Sequence, residues 1–147
     1  MSRIQAVLGS LVALSLCVSC SGSSKTGSPI ATTATNVTSV QVRAYNTDNI
    51  GDIYLNDMLV AEAPMFQADT GLVDITSELV SGANTLKLTE TNTDGDYTYG
   101  FDVIVNGTSF FSVLCGNDSW PTGYVGCNNN DPTLGVVYDQ TLTLVTP

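Results

Sequence analysis

Tyr97-Thr98-Tyr99-Gly100-Phe101-Asp102-Val103-Ile104-Val105 is the stretch whose reading decides the fold. Tyr97, Tyr99, Phe101, Val103 and Val105 share one side, and Thr98, Gly100 and Asp102 take the other. Successive side chains of a strand point to opposite faces, so this pattern describes a strand with one face in a core and one in water. Asn106-Gly107 follows directly, a pair that accepts the positive φ of a two-residue hairpin, and Phe110-Phe111 then lies on the returning strand.

The same period of two recurs on either side. Val40, Val42 and Ala44 alternate with Ser39, Gln41 and Arg43; Ile53 and Leu55 with Asp52, Tyr54 and Asn56; Leu86 and Leu88 with Thr85, Lys87 and Thr89. Near the end, Val136, Tyr138, Leu142 and Leu144 oppose Asp139, Thr141 and Thr143. Asn56-Asp57 reads as a hairpin turn before Met58-Leu59-Val60, and Asp94-Gly95 as a second hairpin between the Leu86 and Tyr97 strands. Only residues 75–80 have a helical look, and they are short enough to be one turn. These features predict an all-β protein, an antiparallel β-sandwich of seven or eight short strands over residues 37–147.

Upstream of that domain the chain reads as an export signal. Arg3 supplies a positive n-region, and residues 6–18 form an apolar run too short to span a bilayer but the right length for a signal core. Leu16-Cys17-Val18-Ser19-Cys20 resembles a bacterial lipobox, with Ser19 before the cut and Cys20 as the lipidated residue. Cys17 departs from that pattern, since an aliphatic residue usually stands there. An ordinary signal peptide cut a few residues away is the alternative. The division expected is residues 1–19 as signal peptide, 20–36 as a lipid-anchored flexible tether, and 37–147 as the domain. Residues 21–36, SGSSKTGSPIATTATN, lack apolar periodicity and would reach about 20 Å as a flexible coil. Ser21 is not the Asp that retains lipoproteins at the inner membrane, so the expected address is the bacterial outer membrane or cell surface, with membrane contact only through the lipid.

With Cys20 acylated, Cys115 and Cys127 remain as an even pair in an oxidising compartment, where a disulfide between them would persist. Metal ligation by that pair is the weaker alternative, because the chain has no histidine and the domain no third thiolate.

Charge narrows the partners. Once Arg3 is removed, Lys25, Arg43 and Lys87 face fourteen carboxylates. Such a surface repels phosphate backbones and anionic head groups, which excludes nucleic acid and adhesion to anionic lipid. Catalysis has little support. Without histidine there is no serine triad and no common general base, and the carboxylates fall in turns or on polar strand faces. The expectation is a protein that is not an enzyme.

A resemblance adds to this reading. Tyr54-Leu55-Asn56-Asp57, then Asp74-Ile75-Thr76-Ser77-Glu78-Leu79 with Gly82-Ala83-Asn84-Thr85-Leu86, and Tyr99-Gly100-Phe101-Asp102-Val103 resemble the galactose-binding-like jelly-roll modules found among carbohydrate-binding domains. The Asn-Asp of the hairpin departs from the Asn-Gly usual there, and residues 115–127 match no pattern of that family. The resemblance implies a jelly-roll type of sandwich, a glycan ligand, and a calcium ion as a cofactor that modules of this fold often hold. Fold does not by itself fix function.

The ligand-binding candidates lie in one long loop, residues 115–131. It holds the only tryptophan, Trp120, with Tyr124 four residues on. Asn117, Asp118, Asn128, Asn129, Asn130 and Asp131 add amides and carboxylates. An aromatic face packs on the C–H face of a sugar while planar polar groups pair with its hydroxyls, so the expected partner is a glycan. The alternative keeps Trp120 folded over the disulfide and makes the Asn run turn chemistry. The competing functional class is an envelope structural or protein-interaction lipoprotein with no glycan ligand. For metal, Asn92, Asp94 and Asp96 supply oxygen donors of the kind calcium takes, without EF-hand spacing; hairpin turn chemistry is the alternative.

Overall fold

The computed structural model describes residues 32–66, 68–117, 125–127 and 133–147. They form an all-β sandwich of two sheets, with a single 3-10 turn at Thr76–Glu78. The strands in chain order are β1 (Thr32–Thr35), β2 (Val40–Tyr45), β3 (Ile50–Leu55), β4 (Met58–Ala63), β5 (Val73–Asp74), β6 (Ala83–Asn92), β7 (Tyr99–Val105), β8 (Thr108–Cys115) and β9 (Gly135–Val145). One sheet has the order β1-β9-β6-β3-β4 and the other β5-β2-β7-β8. All pairings are antiparallel except β1 with β9, which is parallel.

The alternation seen in the sequence is what builds the core. Val40, Val42, Ala44, Phe101 and Val103 from the smaller sheet meet Ile53, Leu55, Leu86, Leu88, Leu142 and Leu144 from the larger, all fully buried. Each such side chain removed from water contributes on the order of 2 kcal/mol before the entropy of ordering is subtracted. Tyr138 of β9 stacks on Tyr99 at 4.5 Å and on Phe101 at 5.7 Å, tying the two sheets together.

Two of the expected hairpins are present. Asn56 and Asp57 have φ of 49° and 66°, and Asn106 and Gly107 have 51° and 74°, the left-handed pair that a two-residue turn between twisted strands requires. Asn106 also fastens the chain ahead of β2. Its Oδ1 accepts from the Thr38 amide (2.8 Å), the Thr38 hydroxyl (2.9 Å) and the Ser39 amide (3.1 Å), and its Nδ2 donates to the Asn36 carbonyl (3.0 Å).

Four expectations need correction. The described residues form nine strands rather than seven or eight, because β1 and the two-residue β5 carry no apolar alternation that would reveal them. β1 lies inside the segment read as tether, with Thr32–Thr35 paired to residues 142–145 of β9. Asp94-Gly95 does not close a hairpin, since β6 and β7 belong to different sheets and the turn carries the chain across the sandwich. Val136 leaves the inner face and is 60% exposed. The register of β9 shifts between Tyr138, opposite Glu90, and Val136, opposite Thr91, and the extra residue of that bulge turns Val136 outward.

Candidate binding site at the loop end

Strand directions gather the connections at two ends. The tight turns 56–57 and 106–107 lie at one. The β2–β3, β4–β5, β6–β7 and β8–β9 connections lie at the other, and side-chain hydrogen bonds bind them into one platform. Asn49, buried, accepts at Oδ1 from the Thr93 amide (2.9 Å) and hydroxyl (2.6 Å) and donates from Nδ2 to the Asp96 carbonyl (3.1 Å). The Thr98 hydroxyl donates to the Asn46 carbonyl (2.7 Å), and the Asp48 amide to the Thr98 carbonyl (3.3 Å). Buried amides satisfied on both sides in this way hold loops in one arrangement.

The candidate loop stands on this platform. Cys115 and Cys127 are joined by a disulfide with 5.5 Å between their Cα atoms. Inside the disulfide, Asn117 and Val125 exchange both backbone hydrogen bonds, at 2.8 and 3.0 Å. The Cys127 amide donates to the Tyr97 carbonyl at 2.8 Å, locking the return to β7. Gly116, with φ of 72°, lies so close to the Val125 carbonyl and the Thr98 side chain that a Cβ there would collide with both. Cys115, Asn117, Val125 and Cys127 therefore form a fixed, doubly stapled foot.

Of the expected ligand residues, the structure places Asn117 at this foot. Asp118, Trp120, Tyr124, Asn128, Asn129, Asn130 and Asp131 lie outside the described residues, as does the acylation candidate Cys20. The metal candidates are placed, Asn92 at the end of β6 and Asp94 and Asp96 in the β6–β7 connection. Asn92 is buried; its Oδ1 accepts from the Asp94 and Gly95 amides and its Nδ2 donates to the Gly95 and Thr133 carbonyls, so its amide is committed to shaping the crossover. Asp94 and Asp96 are exposed. Among the described residues no group of three or more His, Cys, Asp or Glu could hold a metal ion.

The structure adds features the sequence reading passed over. Met65 and Phe66, in the β4–β5 connection at the loop end, are 43% and 66% exposed. Two large apolar residues between Pro64 and Gln67, outside any alternation, were the signal available. On the outer face of the larger sheet, Asp52, Tyr54, Asp57, Lys87, Thr89, Thr91 and Val136 line a shallow hollow of about 320 Å³. Two of its polar side chains have partners. Lys87 pairs with Asp139 at 3.2 Å, and the Tyr54 hydroxyl donates to Asp52 at 2.9 Å, which raises the phenol's pKa. The opposite outer face is filled by its own side chains. Arg43 binds Asp69 through two nitrogens, its Cζ lies 4.5 Å over the Tyr45 ring, and that ring covers the space a Cβ at Gly100 would need.

No protein-family model matches the chain, and neither does any curated protein or solved structure.

Proposed function

We propose that this protein is an exported, surface-tethered, non-catalytic binding module whose ligand is carbohydrate, taken at the loop end of the sandwich. One observation carries the reading: the foot of the loop at residues 115–127. A disulfide, a two-bond bridge and a clamp to Tyr97 at the base of a loop containing the only tryptophan form a preorganised mount, and preorganisation lowers the cost of binding. Trp120 and Tyr124 would supply the faces for sugar rings, with Asn117, Asp118 and the amides and carboxylate of residues 128–131 on the hydroxyls. The affiliation with jelly-roll carbohydrate-binding modules, the lipid anchor at Cys20, the outer-membrane address and a calcium requirement belong to the same proposal.

The test is a glycan array with the full-length, oxidised chain in mild detergent, with and without calcium. Binding by the wild type that is lost in Trp120→Ala and kept in Tyr54→Ala supports the loop end over the sheet hollow. Binding lost in Tyr54→Ala alone moves the site to the hollow. Silence across the array rejects the carbohydrate reading.

The second reading, an envelope interaction protein, is favoured by β8. This edge strand of the smaller sheet has eight residues, TSFFSVLC, with no charge and no proline, and Leu114 is 58% exposed. Uncharged edges accept a partner's strand. Under this reading Leu114→Lys would abolish capture of the partner.

A further inference from the structure

Of the four sheet edges that the described residues form, three are guarded. β1 has four residues and β5 only two, and β4 carries Glu62 and a bulge in its pairing with β3. Short strands, charges and bulges are the devices that keep an edge from pairing with another chain. β8 differs. It ends the order β5-β2-β7-β8, and its eight residues carry no charge. Its one irregularity, the extra Phe110 opposite Val103 and Ile104, leaves residues 111–115 in regular register with β7.

That regular part has a definite chemistry on each face. Phe111 and Val113, opposite Val103 and Phe101 of β7, lie on the inner face and are half-buried against the core. Ser112, opposite Asp102, lies on the outer face and is exposed. The Asp102 carboxylate behind it accepts from the Ser112 hydroxyl at 2.7 Å and lies 3.9 Å from the Arg43 guanidinium, so its charge is already met. Two chains that each carry four basic and fourteen acidic side chains repel one another over most of their surface. They approach at least cost where an uncharged strand faces an uncharged strand.

The order of residues in β8 also fits itself. Set antiparallel with Ser112 opposite Ser112, two such strands bring Phe111 of each copy opposite Val113 of the other on the inner face. Hydroxyl pairs and aromatic–β-branched pairs are favourable cross-strand neighbours, and a two-fold interface requires this reciprocity. A slip of one residue sets inner face against outer face, so the register is defined. We propose that β8 is an interface for a second copy of this chain, joining two smaller sheets into one continuous sheet across a two-fold axis at Ser112. This deepens the interaction reading of β8 and does not depend on the carbohydrate one. β8 runs towards the disulfide loop, so antiparallel copies turn their loop ends away from each other and neither covers the other's.

The experiment is sedimentation of the full-length oxidised chain in mild detergent, alongside Ser112→Glu, Ser112→Lys and an equal mixture of the two. Each is checked for folding by circular dichroism. The wild type should show a monomer–dimer equilibrium. Ser112→Glu sets carboxylate against carboxylate on the axis and should weaken the dimer about tenfold or more. The mixture, in which opposite charges meet there, should recover it. A monomeric wild type overturns the second copy and leaves the edge to a foreign strand, for which loss of capture in Leu114→Lys is the separate test. A dimer that Ser112→Glu leaves unchanged is held elsewhere in the chain and overturns the interface; a mixture that stays dissociated overturns the axis at Ser112. Should Ser112→Glu fail to fold beside Asp102, Leu114→Lys charges the same edge from an exposed side chain and must weaken the dimer likewise.

Discussion

Glu90 is the residue at which this fold is most exposed to its medium. It sits on β6, paired with Gly51 on one side and Tyr138 on the other, and is fully buried with neither carboxylate oxygen in a hydrogen bond among the described residues. Gly51 makes the position tenable, because a Cβ there would lie 3.2 Å from the carboxylate. Burial is the main cause that pushes the Glu90 pKa up to about 8; the Asn49 amide opposes it, and the charges of Asp48 and Asp52 add to it. The folded protein therefore keeps a proton that the unfolded chain releases near pH 4.5. Stability should fall as pH rises from about 4.5 to 8 and level off above, by at most about 5 kcal/mol. Urea midpoints for wild type and Glu90→Gln across that range provide the check: the slope should be shallower in the variant. A wild type equally stable at pH 5 and pH 8 would mean that the carboxylate has a partner when ionised. The position was legible in outline, since Glu90 and Asn92 continue the inward alternation of Leu86 and Leu88. What alternation cannot convey is whether a polar residue on the inner face finds hydrogen bonds. Asn92 finds four, whereas Glu90 has only the nearby Asn49 amide to favour its ionised form.

Among the elements, those that could be read were the ones whose own residues contain the instruction. β2, β3, β6 and β7 alternate, and Asn56-Asp57 and Asn106-Gly107 have the backbone freedom their turns need. Asp94-Gly95 has similar chemistry and a different outcome, because turn residues specify a reversal and not the sheet that the next strand joins. β1 is four polar or small residues whose reason to be a strand lies in β9, more than a hundred positions away. Such non-local causes leave no local trace. The disulfide at the end of β8 was legible from the expected compartment and the cysteine count. Closing this short loop constrains the unfolded chain, so reduction, or Cys115→Ser with Cys127→Ser, should lower stability by about 3 kcal/mol. Denaturation with and without reductant measures it; an unchanged midpoint would show that the bridge restrains only the loop. Under the carbohydrate reading, glycan binding should fall as well, because the foot of the proposed site loosens.

At the scale of the whole molecule, the sandwich separates two tasks. One end is closed by tight turns and by the Asn106 seam, and the other bears four longer connections on a shared support. The strand β1 also bears on where the folded body begins. A chain starting at residue 37, the boundary expected from composition, would lose β1, leave one side of β9 unpaired and uncover Ala34's packing against the core. Relative to a chain starting at residue 31, it should be less stable by on the order of 2 kcal/mol and more prone to associate. Urea unfolding and light scattering on the two chains decide this, and equal behaviour would make β1 dispensable. The candidate site was partly legible at this scale. The sequence marks residues 115–131 by length, cysteines and aromatic content, but the support assembled from Asn49, Asp48, Thr98 and the β4–β5 connection exists only once distant loops meet.

The Asn106 seam bears on how the protein ages. Asn followed by Gly is the pair in which a backbone nitrogen most readily attacks the side-chain amide and expels ammonia. In this fold the carboxamide is gripped at both ends, its oxygen by Thr38 and Ser39 and its nitrogen by the Asn36 carbonyl. Were that carboxamide converted to a carboxylate, the donor to Asn36 would become an acceptor facing an acceptor, and the seam would open from that side. The native structure thus guards its own most perishable bond, and the chemical lifetime of the protein is tied to how seldom that corner comes loose.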